Sequence, residues 1–319
     1  MTQSAPGKSH REGISLIELF RMFPDNTAAE IWFEEQRWGE AGKPSHCPVC
    51  GSTHNQIVIQ SRKPLPYWCG SCRSNYSVRT GTIMHRSKIP LQKWVIAIYL
   101  WSVSLKGVSS MRLHRDLNIT QKSAWFMAQR LREAWSDRPS NMNGPAECDE
   151  SYFGGKRKNM SNAKRKEMKN TGRGAVGKTA VAGIRDRDTN TITARVVDST
   201  DRTTLQGFIR ENVEPGSRVY TDEAKAYSGM DGYDHETVNH SISEYVRDQA
   251  HTNGVESFWA LLKRGYHGTF HHISPKHLHR YVGEFSTRHN LRENDTIVMM
   301  QETVSRMVGK RLMYRDLVK

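Results

Sequence analysis

Hydrophobic residues recur with a helical period in five segments of the first 140 residues. The positions that repeat every three or four residues predict helices over residues 15–23, 27–38, 90–105, 108–117 and 121–135. Pro24 ends the first helix, and Asp25 or Asn26 is the predicted cap of the second. Asn118, Ile119 and Thr120 form a short turn between the last two helices, with Thr120 as N-cap.

The period changes to that of β-strands after a turn-rich linker at residues 138–145. Strands are predicted over residues 146–153, 179–185, 191–197, 218–222 and 235–246, with a helix over 203–213 and another from about 253. This order of elements is that of the ribonuclease H fold. We therefore predict an α/β (α+β) chain whose second half is ribonuclease H-like.

Three acidic residues lie at the positions where the ribonuclease H arrangement has acidic residues. Asp149 lies in the first strand, Asp222 ends the fourth strand, and Glu256 lies in the helix after the fifth. The first and fourth strands are neighbours in this fold. We therefore expect Asp149 and Asp222 to lie close enough to share a metal ion, although 222 − 149 = 73 residues separate them.

The helix that carries Glu256 is amphipathic. Its apolar stripe contains Val255, Phe258, Trp259 and Leu262. At about 100° per residue, Glu256 and Lys263 lie two turns apart on nearly one line, with Asn253 beside them. A purely structural alternative is a capping box, in which Asn253 is the N-cap and Glu256 the third helical residue.

Two C-x-x-C pairs, Cys47/Cys50 and Cys69/Cys72, have the spacing of a zinc ribbon. Four thiolates would complete a tetrahedral zinc shell and leave no position for water, so we predict one structural Zn²⁺. Two redox motifs are the alternative, but neither pair lies between a strand and a helix. Cys148 is unpaired and is predicted to be a small core residue.

Basic residues outnumber acidic ones by 47 to 33, for a net charge of +14, which favours a polyanionic partner. No apolar run reaches the 18 residues of a membrane-spanning helix, and no signal peptide is evident at the N-terminus. We therefore expect a cytoplasmic protein without membrane association. The residues expected to contact DNA are Arg130, Arg132, Lys156, Arg157, Lys158, Lys164, Arg165, Lys166 and Arg264.

Residues 86–138 have the helix–turn–helix arrangement of many DNA-binding domains, with 121–135 as the helix expected in the major groove. A helical spacer with core aromatic residues is the alternative. The predicted organisation is an N-terminal helical segment (1–44), a zinc ribbon (45–85), a helix-turn-helix-like region (86–138), a ribonuclease H-like domain (145–292) and a basic C-terminal tail (293–319).

Several motifs together resemble those of the IS1595 family of insertion-sequence transposases, with an ISXO2-like catalytic domain. They are the four cysteines with Arg79-Thr-Gly-Thr82, Asp149-Glu-Ser-Tyr-Phe-Gly-Gly155, Tyr220-Thr-Asp222-Glu-Ala, Asn253-Gly-Val-Glu256, Leu262-Lys-Arg-Gly-Tyr-His-Gly-Thr269 and His271-His-Ile-Ser-Pro-Lys-His277. The resemblance covers roughly residues 15 to 292. It implies a DDE-type transposase that cuts DNA at the ends of an element and joins those ends to target DNA.

The resemblance also implies two Mg²⁺ (or Mn²⁺) ions per active site. Asp149 would bridge the ions, while Asp222 and Glu256 would each complete the shell of one ion. Asn253 is the alternative third ligand, since family members differ at this position; a hard cation favours the carboxylate of Glu256. Lys263 would hold a phosphate near the metals.

The expected partners are double-stranded DNA, as terminal inverted repeats and as target, and further copies of the chain assembled on that DNA. Nucleoid association is expected while DNA is bound. Two other functions remain open from the sequence. One is a ribonuclease H-like nuclease or resolvase without strand transfer, and the other is a zinc-ribbon DNA-binding regulator with an inactive catalytic domain.

Overall fold

A computed structural model describes residues 12–59, 61–136, 141–155, 160–167, 177–238 and 252–319. The chain forms two compact units: a helical unit of residues 1–135 and 291–319, and a sheet unit of residues 136–290. No helix in the described part of the chain is long and apolar enough to cross a membrane.

The helical unit has one hydrophobic core. Its helices are α1 (Leu16–Met22), α2 (Asn26–Trp38), α3 (Leu91–Val103), α4 (Ser110–Leu117), α5 (Gln121–Ala134), α10 (Thr296–Met307) and α11 (Tyr314–Val318). Helices α1–α5 and α10 contribute to this core together with the region around Cys47 and Cys69. Strands β1 (Gln56–Val58), β2 (Tyr67–Cys69) and β3 (Ser74–Tyr76) form a small antiparallel sheet.

Helices α2 and α5 begin at the predicted caps, whereas α1 follows Ser15, for which no capping role was predicted. Ser15 forms a capping box with Glu18, and the side chains of Asp25 and Thr120 accept hydrogen bonds from the first turns of α2 and α5. Asn118 adopts the left-handed conformation that ends α4 (φ 46°). Strand β3 begins at Ser74, which pairs with Cys69 of β2.

Residues 293–319 differ from the tail expected from the sequence. Within this segment, α10 buries Met299, Met300, Val304 and Met307 in the same core as α2, α3 and α5. These residues recur at intervals of one, four and three, which is a helical period. The C-terminal segment is therefore part of the helical unit's interior.

The sheet unit is a mixed α/β structure. Its strands are β4 (Ala146–Phe153), β5 (Thr179–Asp186), β6 (Ile192–Val197), β7 (Arg218–Asp222) and β8 (Asp234–Val238), in the order β6-β5-β4-β7-β8. Strands β4, β5 and β6 pair antiparallel, whereas β7 lies parallel to both β4 and β8. The helices are α6 (Asn162–Glu167), α7 (Arg202–Asn212), α8 (Asn253–Gly265) and α9 (Pro275–Asn290).

The sheet separates two hydrophobic cores. One core contains Leu205, Phe208 and Ile209 of α7, and the other contains residues of α8 and α9. Successive side chains of a strand point to opposite faces, so β4 contributes Ala146 and Cys148 to the α7 side and Phe153 to the α8 side. Cys148 is buried, as predicted. Asp149, an odd-numbered residue like Phe153, is thereby directed to the α8 side.

Candidate active site

Four cysteine thiols of the helical unit meet at one point, as their spacing predicts. The Sγ atoms of Cys47, Cys50, Cys69 and Cys72 all lie within 4.8 Å of one another. Cys47 Sγ is 3.7 Å from Cys72 Sγ, and Cys50 Sγ is 3.8 Å from Cys69 Sγ. A tetrahedral zinc ion at about 2.3 Å from each sulfur requires sulfur–sulfur edges of about 3.8 Å. The cluster could therefore hold a structural zinc ion.

The thiols differ in how readily they ionise. Hydrogen bonding from the backbone of Cys72 lowers the pKa of Cys69 to about 6, which favours the thiolate that binds zinc. Burial raises the pKa of Cys47 to about 12. A second thiolate beside Cys69 is thus costly unless a cation compensates for it, and the donor set suits a bound metal.

Helices α4 and α5 are joined by the turn predicted from the sequence, and the first turn of α5 is open to solvent. Gln121 and Lys122 are exposed there, as are Arg112 and Arg115 on α4. Lys122 Nζ lies 4.6 Å from the centre of the Tyr314 ring of α11. This exposed surface is the part of the helix pair that is available to a partner.

Arg130 and Arg132 do not project from α5 into solvent, in contrast to the DNA-contacting role expected for them. Arg132 is 2% exposed, with its Cζ 5.1 Å from the centre of the Trp101 ring. Arg130 is 9% exposed, with its Cζ 4.1 Å from the centre of the Phe126 ring. Both lie in the stretch 127–132, in which every residue is buried. Six residues exceed one helical turn, so α5 is covered on all of its faces there.

In the sheet unit, Asp149 and Asp222 occupy matching positions on adjacent parallel strands. Glu147 of β4 is paired with Tyr220 of β7. Two residues further along the two strands come Asp149 and Asp222, so both carboxylates are on the same face of the sheet. The strand order thus brings together two acids that are far apart in the sequence.

The environment of Asp149 disfavours its ionised form. Burial is the main cause, followed by the negative charges of Glu150 and Asp222, and together they raise the pKa of Asp149 to about 7. Asp222 accepts a hydrogen bond from the backbone N–H of Ala224 at 3.0 Å, which fixes its side chain at the strand end.

Trp259 is a neighbour of Asp149 that the sequence did not identify. Its indole Nε1–H donates a hydrogen bond to Asp149 Oδ2 at 2.9 Å. In the sequence, Trp259 is recognisable only as part of the apolar stripe of its helix. A buried tryptophan usually needs a hydrogen-bond acceptor for its N–H, and this need could have pointed to the acidic strand β4.

On helix α8, the side chain of Glu256 points closer to the direction of Trp259 than the side chain of Asn253 does. Measured around the helix axis, Glu256 lies about 60° from Trp259, and Asn253 about 120°. Lys263 lies about 40° from Trp259 on the same side. Glu256, Lys263 and Asn253 are all exposed, and Thr252 Oγ1 donates to Glu256 Oε1 at 3.2 Å.

The predicted capping box at Asn253 is absent. The N-cap of α8 is Thr252, and Asn253 is the first helical residue. The side chain of Thr252 makes no capping hydrogen bond to the first turn. The purely structural explanation for Glu256 therefore loses its main support.

The three acids of the sequence hypothesis are less tightly gathered than the four thiols. Within the described ranges, the cysteine cluster is the group in which three or more histidine, cysteine or acidic ligand atoms lie within 4.8 Å of one another. Asp149 and Asp222 interact electrostatically. Glu256 lies in the first turn of α8, the helix whose Trp259 binds Asp149.

Two polar contacts fix α8 along β4. Glu147 Oε2 accepts the backbone N–H of Val255 at 3.0 Å, and Asp149 accepts the Trp259 indole N–H. Two residues of a strand span about 6.6 Å, and four residues of a helix rise about 6.0 Å. The two spacings match, so one strand face can hold successive turns of the helix.

The strand next to β4 accommodates this helix with a glycine. Gly183 is paired with Asp149, and a Cβ at Gly183 would lie 2.7 Å from Trp259 Cζ2. Since real Cβ atoms do not approach this closely, only glycine allows the indole to lie flat against β5 with its N–H directed at Asp149.

Glu147 is the centre of a buried ion cluster that the sequence also left unidentified. It is fully buried and accepts hydrogen bonds from Arg185 Nη1 at 3.0 Å and Arg187 Nε at 2.9 Å. Arg187 Cζ also lies 3.9 Å from the centre of the Tyr220 ring. A Cβ at Gly254 would overlap the Arg185 guanidinium, so Gly254 makes room for this ion pair beneath α8.

Glu150 points to the opposite face of the sheet from Asp149. Its Oε2 accepts a hydrogen bond from Tyr227 Oη at 2.8 Å. Burial, followed by the charge of Asp222, raises the pKa of Glu150. Glu150 thus adds negative charge next to the Asp149–Asp222 pair without lying on their face.

The basic residues predicted to bind DNA are only partly described. Lys156, Arg157 and Lys158 lie outside the described residues, as does the side chain of Lys164. Arg165 and Lys166 are exposed on α6, and Arg264 is exposed on α8 next to Lys263.

A cavity of about 700 Å³ lies at the end of β4 that follows the acids. Its lining includes Phe153, Gly155, His267, His271 and His272. Phe153 is four residues beyond Asp149, which corresponds to about 13 Å along the strand.

Comparisons with known proteins relate the chain to transposases. A family profile described as an ISXO2-like transposase domain matches residues 141–290, almost the whole sheet unit. An uncharacterized protein in transposable element ISH50 of Halobacterium salinarum is 26% identical over 227 residues, or 69% of this chain and 76% of that protein. An uncharacterized transposase-like protein of Haemophilus influenzae is 34% identical over 97 residues, or 30% of this chain and 77% of that protein. Because a transposase-domain profile matches the sheet unit and both relatives are named for a transposable element or a transposase, the chain belongs to the IS1595 family of transposases.

Proposed function

We propose that this protein is a DDE-type transposase that binds the ends of its element, cleaves DNA strands there and transfers them to target DNA. The observation that carries the proposal is the position of Asp149 and Asp222 at the same level of two adjacent parallel strands. Glu256 lies on helix α8, which is bound to Asp149 through Trp259. We further propose that the sheet unit has a ribonuclease H-like fold. Three antiparallel strands followed by two parallel ones, with the first strand in the centre, support this assignment.

The acidic site suits hard divalent cations. Asp149, Asp222 and Glu256 offer carboxylate oxygens, the ligands that Mg²⁺ and Mn²⁺ prefer. Burial of Asp149 beside two other acids makes its negative charge unfavourable, and a bound cation would remove this cost. Two Mg²⁺ ions held by these residues would activate the attacking water or 3′-hydroxyl and stabilise the leaving oxygen of a phosphodiester.

The remaining residues position this chemistry. Trp259 and Glu147 hold Asp149 and the start of α8 in a fixed relation, and Thr252 orients Glu256. Lys263 and Arg264 are exposed further along α8, where they would hold the phosphates of the strand being cut. A DNA strand that continues from the acids along β4 would reach the cavity lined by His267, His271 and His272.

The helical unit would bind DNA before cleavage. We propose that the exposed first turn of α5 enters the major groove, with Gln121 and Lys122 nearest to the bases and Arg112 and Arg115 of α4 near the phosphates. We expect two copies of the chain to act together, since an element has two ends. The zinc cluster would stabilise the fold of this unit.

Cleavage and joining assays with purified protein test the proposal. The substrates are duplexes that carry the terminal sequences flanking the open reading frame, incubated with Mg²⁺. Wild-type protein should nick the end and join it to a second duplex, while Asp149→Asn and Asp222→Asn should still bind but not cut. Cutting without joining would identify a nuclease instead. Sequence-specific binding without any cutting would identify a regulator.

A further inference from the structure

Several positively charged side chains of the helical unit meet around His85. Arg86, Arg130 and Arg311 each repel a proton on His85, and Arg311 also acts on Arg130. Arg130 Nη2 donates a hydrogen bond to the carbonyl oxygen of His85 at 3.2 Å. Two of the arginines, Arg86 and Arg311, are exposed. Residues that are distant in the sequence thus form one cationic cluster.

The C-terminal segment builds this cluster by pairing with the loop that follows strand β3. Ile83 N–H donates to the Met307 carbonyl at 3.2 Å, and Gly309 N–H donates to the Gly81 carbonyl at 2.9 Å. Lys310 Nζ then binds the carbonyls of Glu133 and Ala134, each at 3.0 Å, at the end of α5. The next residue is Arg311, so the contacts of Gly309 and Lys310 hold it beside Arg130 and His85.

Arg130 is a buried cation that has no acidic partner among the described residues. It is 9% exposed, and its buried Nε has no hydrogen-bond partner in the same part of the chain. Within the described part of the chain, no acidic side chain forms an ion pair or hydrogen bond with Arg86, Arg130 or Arg311. Buried charges are normally paired, since desolvation is costly. The position of Arg311 next to Arg130 increases this cost.

His85 can only donate a hydrogen bond toward a ligand. Its Nδ1 accepts the backbone N–H of Gly81 at 3.3 Å, so the proton of the neutral ring is on Nε2. Burial, together with the three arginines, lowers the pKa of His85, which keeps this neutral tautomer at physiological pH. Arg86 adopts the left-handed conformation at φ 56°, which is unfavourable for a residue with a Cβ and occurs often at functional sites.

We propose that His85, Arg86, Arg130 and Arg311 form a binding site for a phosphate group of the DNA backbone. Arg86 and Arg311 contact the phosphate oxygens, His85 Nε2–H donates to one of them, and Arg130 supplies positive charge from below. The site rests on the proposed DNA-binding function, which it deepens by assigning a phosphate contact outside the helix-turn-helix. A backbone phosphate is favoured over an acidic peptide because guanidinium groups bind the oxygens of a phosphate in pairs, and because the chain's net charge of +14 suits a polyanion such as DNA.

Salt dependence of DNA binding tests the site, with a labelled 30-base-pair duplex of arbitrary sequence as probe. Affinity of the full-length protein is measured by fluorescence anisotropy between 50 and 200 mM NaCl. Each phosphate contact contributes about −0.9 to the slope of log K against log salt. Arg311→Ala should therefore make the slope shallower by about 0.9, so that affinity falls about threefold less across this range. Arg86→Ala should act alike.

Arg315→Ala is the matched control, since it removes an equal charge four residues away. Arg315 is exposed and lies 3.8 Å from Asp316, which already offsets its charge. A slope unchanged by Arg311→Ala, or changed equally by Arg315→Ala, would overturn the proposed site.

Inorganic phosphate separates this site from the proposed function. Phosphate should raise the Tm of wild-type protein more than chloride does at equal ionic strength, and this difference should shrink in Arg311→Ala. If wild-type protein does not bind the duplex, the proposed DNA-binding function fails, and the phosphate measurement still decides whether the anion site exists. No difference between phosphate and chloride in that measurement would refute the site.

Discussion

Asp149 is the residue whose surroundings most constrain its chemistry. Its pKa is raised to about 7 mainly by burial, so in the absence of metal the folded protein binds a proton there that the unfolded chain releases near pH 4. The free energy of unfolding therefore decreases as pH rises from about 4 to 7. Asp149→Asn should raise the Tm relative to wild type at pH 8 in metal-free buffer, with little difference at pH 4.

Mg²⁺ provides the complementary measurement on Asp149. It should raise the Tm of wild-type protein at pH 8 but not that of Asp149→Asn. A wild-type Tm that responds to neither pH nor Mg²⁺ would show that Asp149 is not a metal-binding carboxylate.

The identity of the third acid can be decided by two single substitutions on α8. Glu256→Gln keeps the shape of the side chain but removes its charge. It should lower the rate of cleavage by more than the roughly 10–100-fold loss seen when a residue that only hydrogen-bonds to a metal ligand is removed. Asn253→Ala should leave cleavage and Tm nearly unchanged, because Asn253 is exposed and does not cap the helix. Inactive Asn253→Ala with active Glu256→Gln would assign the ligand to Asn253 instead.

Gly183 gives a test of the contact between Trp259 and Asp149. A methyl group at position 183 would displace the indole, so Gly183→Ala should weaken the hydrogen bond to Asp149 and reduce cleavage. Gly207→Ala on α7 is the matched control, since its added Cβ meets nothing within 4 Å. The control should retain cleavage and gain about 0.5–1 kcal/mol of stability. Equal cleavage by both variants would show that the indole position is unimportant.

At the scale of elements, the relation between α8 and β4 depends on the buried charge of Glu147. Glu147→Gln leaves Arg185 and Arg187 without their anion and weakens the contact with the N–H of Val255. The cost should be about 3–5 kcal/mol of unfolding free energy, as for other broken buried pairs. Glu211→Gln, in an exposed pair with Arg195, should cost less than about 1 kcal/mol. Denaturant unfolding of both variants measures the difference, and equal losses would contradict this role.

For the whole molecule, the C-terminal segment is expected to be necessary for folding of the helical unit. A chain that ends at residue 290 lacks α10 and leaves a gap where Met299, Met300, Val304 and Met307 fill the core. It should lose the helical unit's cooperative unfolding transition. A chain that ends after Leu312 keeps α10 and should retain that transition. Circular dichroism during thermal unfolding compares the two truncations, and identical transitions would show that α10 is dispensable.

The amino-acid sequence alone determined the local structure and the chemical character of this protein. The periods of apolar residues located most helices and strands, Asp25 and Thr120 marked helix starts, and the C-x-x-C spacing predicted the thiol cluster. These features depend on residues close together in the chain, where side-chain period, capping and loop length decide the outcome. The family motifs then indicated a transposase.

Contacts between distant segments could be decided only by the tertiary structure. The burial of Arg130, the packing of α10 in the N-terminal core and the hydrogen bond from Trp259 to Asp149 each join residues far apart in the sequence. A basic side chain has the same sequence signature on a surface as in an interior, and a tryptophan in an apolar stripe does not reveal where its N–H points. The partner that packs against each face decides these outcomes, and that partner is fixed only when the whole chain folds.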